Sequence, residues 1–147
     1  MDADVLAAIT RLKSHIDSGA GLERFRAMVA AQGGDLDAPR PIAPALDVPA
    51  ECDGYVVGIN AEALGLAVIE MGGGRKQLSD TLDLSTGLEM QVRIGDRVHY
   101  GEKLARVFAK PQAAELARSL VRQAITIEER HAAPIPLIVE RIDRSSL

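Results

Sequence analysis

GDRVHYGEKLARV, residues 95–107, sets two glycine-led turns, Gly95-Asp96 and Gly101-Glu102, a few residues apart. Glycine takes tight-turn backbone angles at little cost, and an acidic neighbour bonds back to the chain. The pattern G-D-x-V-x-x-G-x-x-L leaves Val98 and Leu104 to point inward. Upstream, Leu88, Met90 and Val92 alternate with polar residues, as a half-buried strand requires. Downstream, Leu104, Val107 and Phe108 belong to the next strand. Short strands joined by such tight turns make a small β-framework.

The flanks add helices. GYVVGIN (54–60) reads as a strand, and AEALGLAVIEM (61–71) as a helix with Leu64, Val68 and Met71 on one face. A helix over 111–124 opens with Pro111, which a first turn tolerates, and carries Leu116, Leu120 and Val121. PIPLIVERI (134–142) reads as a last strand on a sheet edge, where proline is allowed. Strands and helices mix without regular βαβ alternation, so the fold class is α+β. At the N-terminus, Val5, Ile9, Leu12 and Ile16 stripe a helix over 3–17 that Ser18-Gly19 stops. Leu22, Phe25, Met28 and Val29 stripe a second over about 21–32, ended by Gly33-Gly34. This hairpin is too small to bury its own faces and must lean on something. DLDAPRPIAPALDVP (35–49) holds four prolines and reads as an extended connector. The expected division is a helical segment over 1–34, a Pro-rich linker over 35–46 and a domain over 47–147.

Composition narrows the function classes. The chain has 147 residues, 47% hydrophobic but only 3% aromatic and without Trp, so its core must be aliphatic. A formal charge of -4 argues against non-specific nucleic-acid binding, which needs a basic footprint. Aromatic platforms for stacked bases are missing too. Cys52 is the only cysteine. It allows no internal disulfide, no Cys/His cluster suggests zinc, and a reducing cytoplasm is the expected setting. MDADVLAAITRLKSHIDSG is not a signal peptide, and no uncharged run approaches a membrane span.

The most conspicuous candidate site is MGGGRKQLSD, residues 71–80. A Walker loop needs G-x-x-x-x-G-K-[ST] opening a helix; here the glycines close one. A dinucleotide loop needs G-x-G-x-x-G after a strand, which also fails. Two readings remain: a helix C-cap with a tight turn, which the residues favour, and an anion nest beside Arg75 and Lys76. Neither makes Arg75 a catalyst. His15 reads as a solvated helix residue, and His131 lies in a connector. His99 has Asp96 three residues before it, but no nucleophile or oxyanion site accompanies the pair. Glu70, Asp80 and Asp83 near the glycine loop read as surface-loop acids. Cys52 has no basic neighbour and reads as a buried or inert thiol.

The turn pattern of 95–104 resembles that of biotinyl and lipoyl carrier domains. Their chemistry needs a lysine at a hairpin tip, in a Met-Lys-Met or Asp-Lys-Ala setting. Lys76, Lys103 and Lys110 all lack such neighbours, so the framework resembles a carrier without its attachment site. A wider resemblance covers almost the whole chain. SGAGLERFRAMVAAQGGD (18–35), DGYVVGINAEALGLAVIEMGGGRKQLSDTLDLSTGLEM (53–90), GDRVHYGEKLARVFAK (95–110), then a helix and a Pro-rich strand, are similar in order and spacing to the C-terminal region of the pyrimidine-nucleoside phosphorylases. Four ordered blocks make a specific match where one turn motif would not.

The resemblance implies a remnant of a central α/β domain followed by a C-terminal α/β-hammerhead domain related to barrel-sandwich hybrids. It implies phosphorolysis of a pyrimidine nucleoside by the parent enzyme, with phosphate as co-substrate and neither cofactor nor metal. It places the phosphate loop and the pyrimidine-binding residues in preceding domains, so no catalytic residue is expected in this chain, which should be inactive alone. The implied partners are the helical and α/β domains of the same enzyme, with the parent a homodimer through its helical domain. Neither nucleic acid nor membrane is an expected partner. Gly72, Gly73, Gly74, Arg75 and Lys76 are expected to form an interface loop facing the active cleft. The rival is a carrier-like or interaction module without catalysis.

Overall fold

Periodicity along the sequence becomes ten elements among the described residues of the computed structural model, which describes residues 3–136, 138 and 140. In chain order they are α1 (Ala3–Asp17), α2 (Ala20–Ala31), β1 (Ala45–Pro49), β2 (Gly54–Ile59), α3 (Ala61–Glu70) and β3 (Gly87–Met90). β4 (Arg97–Val98), β5 (Lys103–Phe108), α4 (Pro111–Gln123) and β6 (Ile125–Glu128) complete them. The mixture is α+β. The chain divides into two compact units, Met1–Arg40 and Pro41–Leu147.

The first unit holds α1 and α2. Gly19, with φ 79°, turns the chain between them. At the end of α2 the Gly33 amide donates to the Ala30 carbonyl and the Gly34 amide to the Val29 carbonyl, which closes the last turn. An Arg26–Asp37 ion pair ties α2 to the following turn. No residue of α2 is buried. Of the stripes read from the sequence, Val5, Ile9, Leu12, Ile16, Leu22, Phe25 and Met28 are all exposed.

The second unit contains two antiparallel sheets of three strands, β1-β5-β3 and β4-β2-β6. β5 pairs with β1 from Ala45↔Phe108 to Val48↔Ala105, and with β3 from Gly87↔Phe108 to Met90↔Ala105. β2 pairs with β4 at Gly54↔Val98 and with β6 from Tyr55↔Glu128 to Ile59↔Ile125. On the open face of the first sheet, Asp47, Arg106 and Glu89 stand in cross-strand register as a charge ladder. The Lys103 ammonium, 2.8 Å from Asp47, and then Arg106 hold the Asp47 carboxyl below its ordinary range.

The core is aliphatic, as the lack of aromatics requires. Val48, Val56, Val98, Leu104, Val107 and Val121 are its largest fully buried side chains. Val98 and Leu104 of the double-turn motif therefore do point inward. α4 packs on α3, β1 and β5, and buries Ala117 and Val121. Leu116, counted with that face from its spacing, is instead 52% exposed, because the small Ala117 makes the close contact.

Two strands were not legible in the sequence. β1 begins at Ala45, within the stretch 35–46 read as linker, and the second unit begins at Pro41. Pro49 sits in an edge strand at a register shift, where its missing N–H breaks no ladder. β6 follows α4 at once. The edge strand expected over 134–142 falls partly on residues 137, 139 and 141–142, which lie outside the described residues; 134–136 are irregular. Among the described residues no helix is long and apolar enough to cross a membrane.

Burial gives a direct test of this core. Leu104→Ala should destabilise the second unit by about 2–5 kcal/mol in chemical denaturation, the cost of a partly collapsed cavity. Leu116→Ala should stay within about 0.5 kcal/mol of the parent, as exposed positions do.

Candidate functional site

Asn60 starts α3: its side-chain oxygen accepts from the Ala63 amide at 3.0 Å. The helix ends at the three glycines. Gly72 has φ 92°, a left-handed conformation that costs a Cβ-bearing residue but not glycine. Its amide donates to the Ile69 carbonyl, and the Gly73 amide donates to the Val68 carbonyl, both at 2.9 Å. Those two bonds make a Schellman cap. The other two glycines answer to space. A Cβ on Gly73 would lie 2.6 Å from Thr86 Oγ1, and one on Gly74 would lie 2.5 Å from Ile69 Cγ1. The glycines thus end a helix, and two of their amides are already used.

The polar loop after them is fixed by its own acids. One Asp80 oxygen accepts from the Lys76 and Gln77 amides, each at 2.9 Å. An aspartate therefore fills the anion-binding turn that an external ligand would need. Lys76 Nζ lies 2.7 Å from Glu70. Arg75 is exposed and has no hydrogen bond or ion pair among the described residues. Leu78 and Leu84, 95% and 82% exposed, flank the same loop.

Asp83 anchors the loop from below. Its amide donates to the Gly72 carbonyl at 2.8 Å, and its own carbonyl accepts from the Thr86 hydroxyl at 2.9 Å. Asp83 Oδ1 accepts from the Ser85 amide at 3.0 Å and from the Ser85 hydroxyl at 2.6 Å. Oδ2 pairs with Lys110 Nζ at 2.8 Å. Lys110, then the Ser85 donors, hold the Asp83 carboxyl down at about 2. The sequence alone reads Asp83 as a surface-loop acid. The signal for its role was the D-x-S spacing, by which an aspartate accepts from the amide two residues on.

The other candidates stay apart. Asp96 does not meet His99; it accepts from the Arg93 amide at 2.7 Å. His99 Nδ1 lies 3.8 Å from Asp53, and both side chains are exposed. His131 meets Tyr55 edge-on, with ring centroids 5.1 Å apart. His15 is exposed on α1, and Cys52 is exposed rather than buried. Among the described residues no cluster of His, Cys, Asp or Glu has the form of a metal site. The three lysines weighed as attachment points are all ion-paired: Lys76 to Glu70, Lys103 to Asp47 and Lys110 to Asp83. A groove of about 480 Å³ beside α4 is lined by Glu51, Tyr100, Arg118 and Arg122. Its two arginines already pair with Glu115 and Glu51. The arrangement is a braced loop presenting one free guanidinium, not a set of groups for proton transfer.

Space around the glycines gives opposite expectations for two alanine substitutions. Gly73→Ala should destabilise the second unit by about 1–3 kcal/mol through overpacking. Gly65→Ala, mid-helix with open space at its Cβ, should stabilise it by about 0.4–1 kcal/mol. Asp83 carries a pH signature. Its folded value of about 2 lies below the ordinary 3.8, so its contribution is present above pH 3.8 and disappears as pH falls through about 2. Asp83→Asn should lower the melting temperature at neutral pH, and the gap from the parent should close between about pH 4 and 2.

Known proteins match this framework. A family model described as the pyrimidine nucleoside phosphorylase C-terminal domain matches residues 55–128. Thymidine phosphorylase of Burkholderia cenocepacia (strain HI2424) is 41% identical over 148 residues, covering 95% of this chain and 34% of the relative. Thymidine phosphorylase of Burkholderia lata is 40% identical over 147 residues, covering 95% of this chain and 33% of the relative. The chain therefore spans about a third of the length of these curated relatives.

Proposed function

We propose, from the premise that the chain belongs to the pyrimidine nucleoside phosphorylase C-terminal domain family, that it serves as the C-terminal third of a thymidine phosphorylase. The observation that carries this is coverage. Similarity to thymidine phosphorylases extends over 95% of the chain, beyond the matched domain at 55–128. Two antiparallel sheets with a glycine-led double turn support reading the second unit as an α/β-hammerhead related to barrel-sandwich hybrids.

The parent reaction is a cytoplasmic pentosyl transfer. Phosphate attacks the anomeric carbon of thymidine, the bond to thymine breaks, and 2-deoxyribose 1-phosphate forms. Such a step needs stabilised charge on the departing base and closure of the two substrate sites. Those groups belong to the preceding two-thirds of the enzyme, a homodimer. This chain supplies support and biases closure, and is inactive alone.

The loop of Gly72, Gly73, Gly74, Arg75 and Lys76 is its contact with the active cleft. What supports this is the difference between the loop's members. Lys76 is held by Glu70 and its amide by Asp80, while exposed Arg75 remains uncommitted on a braced turn. A guanidinium so placed reaches an anionic or carbonyl group on a facing domain. Ion pairing of Lys76, Lys103 and Lys110 weighs against the carrier reading.

The test replaces the C-terminal third of the Burkholderia cenocepacia thymidine phosphorylase with this chain and follows thymine release. The chimera should turn over and the free chain should not. Arg75→Ala in the chimera should lower kcat/KM by about tenfold, one charge-assisted contact of roughly 1.4 kcal/mol. An inactive but folded chimera would count against the parent assignment. Unchanged kcat and KM in the Arg75 variant would remove the loop from the cleft.

A further inference from the structure

Lys110 stands where a helix start disfavours it. It is the N-cap residue of α4, and a cation there faces the positive end of the helix dipole. α4 has no side-chain cap and no acid in its first turn to offset that charge. The Lys110 ammonium pairs instead with Asp83, 2.8 Å away. Its backbone is set between buried Ala109 and Pro111, and the Ala109 amide donates to the Pro44 carbonyl at 3.2 Å. A residue that suits the helix is thus forgone for a contact with the loop before β3. A local preference broken in favour of a distant partner marks a group placed for a task.

We infer that, given the proposed contact of Arg75 with the active cleft, Lys110 is a positioning residue: through Asp83 it fixes the turn beneath Gly72 and Gly73 and so aims Arg75. The route is short. Lys110 holds Oδ2 of Asp83, and the Asp83 amide donates to the Gly72 carbonyl at 2.8 Å. The Thr86 hydroxyl, which donates to the Asp83 carbonyl, is the group that a Cβ on Gly73 would strike. On its other side the same turn is tied by the Ala43 amide, which donates to the Ser85 carbonyl at 2.9 Å. Arg75 lies directly after these glycines. The Asp83 carboxyl, held down at about 2, stays ionised through the neutral range, so the brace is constant there and is not a pH switch.

The thymidine phosphorylase chimera, assayed well below its melting transition, gives the test. Lys110→Met should lower kcat/KM about fivefold, and that loss should vanish in an Arg75→Ala background, because a positioning group acts only through the group it positions. Lys110→Arg should restore most of the loss. Lys110→Ser gives α4 a cap while removing the pair, so it should melt higher than Lys110→Met yet lose as much kcat/KM. Hydrogen exchange on the free 147-residue chain needs no turnover. In Lys110→Met the Asp83 amide should exchange roughly tenfold faster, while the Val56 amide, bonded to the Asp96 carbonyl, should not change. An equal loss in both backgrounds, full activity of Lys110→Ser, no rescue by Lys110→Arg, or an unchanged Asp83 amide would each overturn the proposal and leave the role of Arg75 standing. An Arg75→Ala variant without effect would overturn both.

Discussion

The Asp83–Lys110 pair is the constraint on which the glycine loop and its surroundings depend. Asp83 uses its amide, its carbonyl and both carboxylate oxygens at once. Through them the end of α3, the turn leading into β3 and the start of α4 become one assembly. Lys110 is the N-cap residue of α4, and that helix carries Ala117 and Val121 into the core. A charge pair at the surface thus holds the first turn of a helix whose inner face enters the core. The pair is only partly exposed on the aspartate side, at 21%, and its oxygens are satisfied by Ser85 as well. That satisfaction distinguishes it from an ordinary surface ion pair, which constrains little.

The same logic recurs at other turns. Asp80 accepts from Lys76 and Gln77 amides, Asp96 from Arg93, Glu102 from His99 and Asp53 from Tyr100. An excess of acids over bases, 21 against 17, looks in composition like a statement about partners. Part of it is a statement about loops. Carboxylates here stand in for missing strand and helix partners of backbone amides, which allows tight turns without regular ladders. It also removes turn amides from service as anion binders, which is why the glycine loop presents Arg75 rather than a nest.

Several features were legible because local chemistry determines them. The glycine-led turns at 95 and 101, inward Val98 and Leu104, and both helix ends with paired glycines follow from backbone preference and period alone. β1 and β6 were not legible, for opposite reasons. β1 is hidden by the prolines of 35–49, and its pairing with β5 is a long-range contact that no local pattern reports. β6 is four residues of I-T-I-E directly after a helix, and it pairs with β2, far back in the chain. The role of Asp83 was half visible: D-x-S signals the turn, but Lys110 lies 27 residues downstream, beyond any local motif. Arg75 was legible as a position and not as a role, because being uncommitted is a property of its neighbours' partners.

Comparing the two paired-glycine caps separates what a motif does from what its setting does. α2 and α3 end with the same two backbone bonds, Gly33 and Gly34 in one case, Gly72 and Gly73 in the other. After α2, the atoms nearest a Cβ on Gly34 would be those of Val29, in its own helix. After α3, Gly73 meets Thr86 across the chain, and the Gly72 carbonyl receives Asp83. Identical caps therefore yield a plain helix end in one unit and a braced platform in the other. The glycines themselves supply only the permission to turn. Function, on this reading, attaches to what the turn is pressed against, and for residues 72–76 that is a charge-locked frame holding one guanidinium outward.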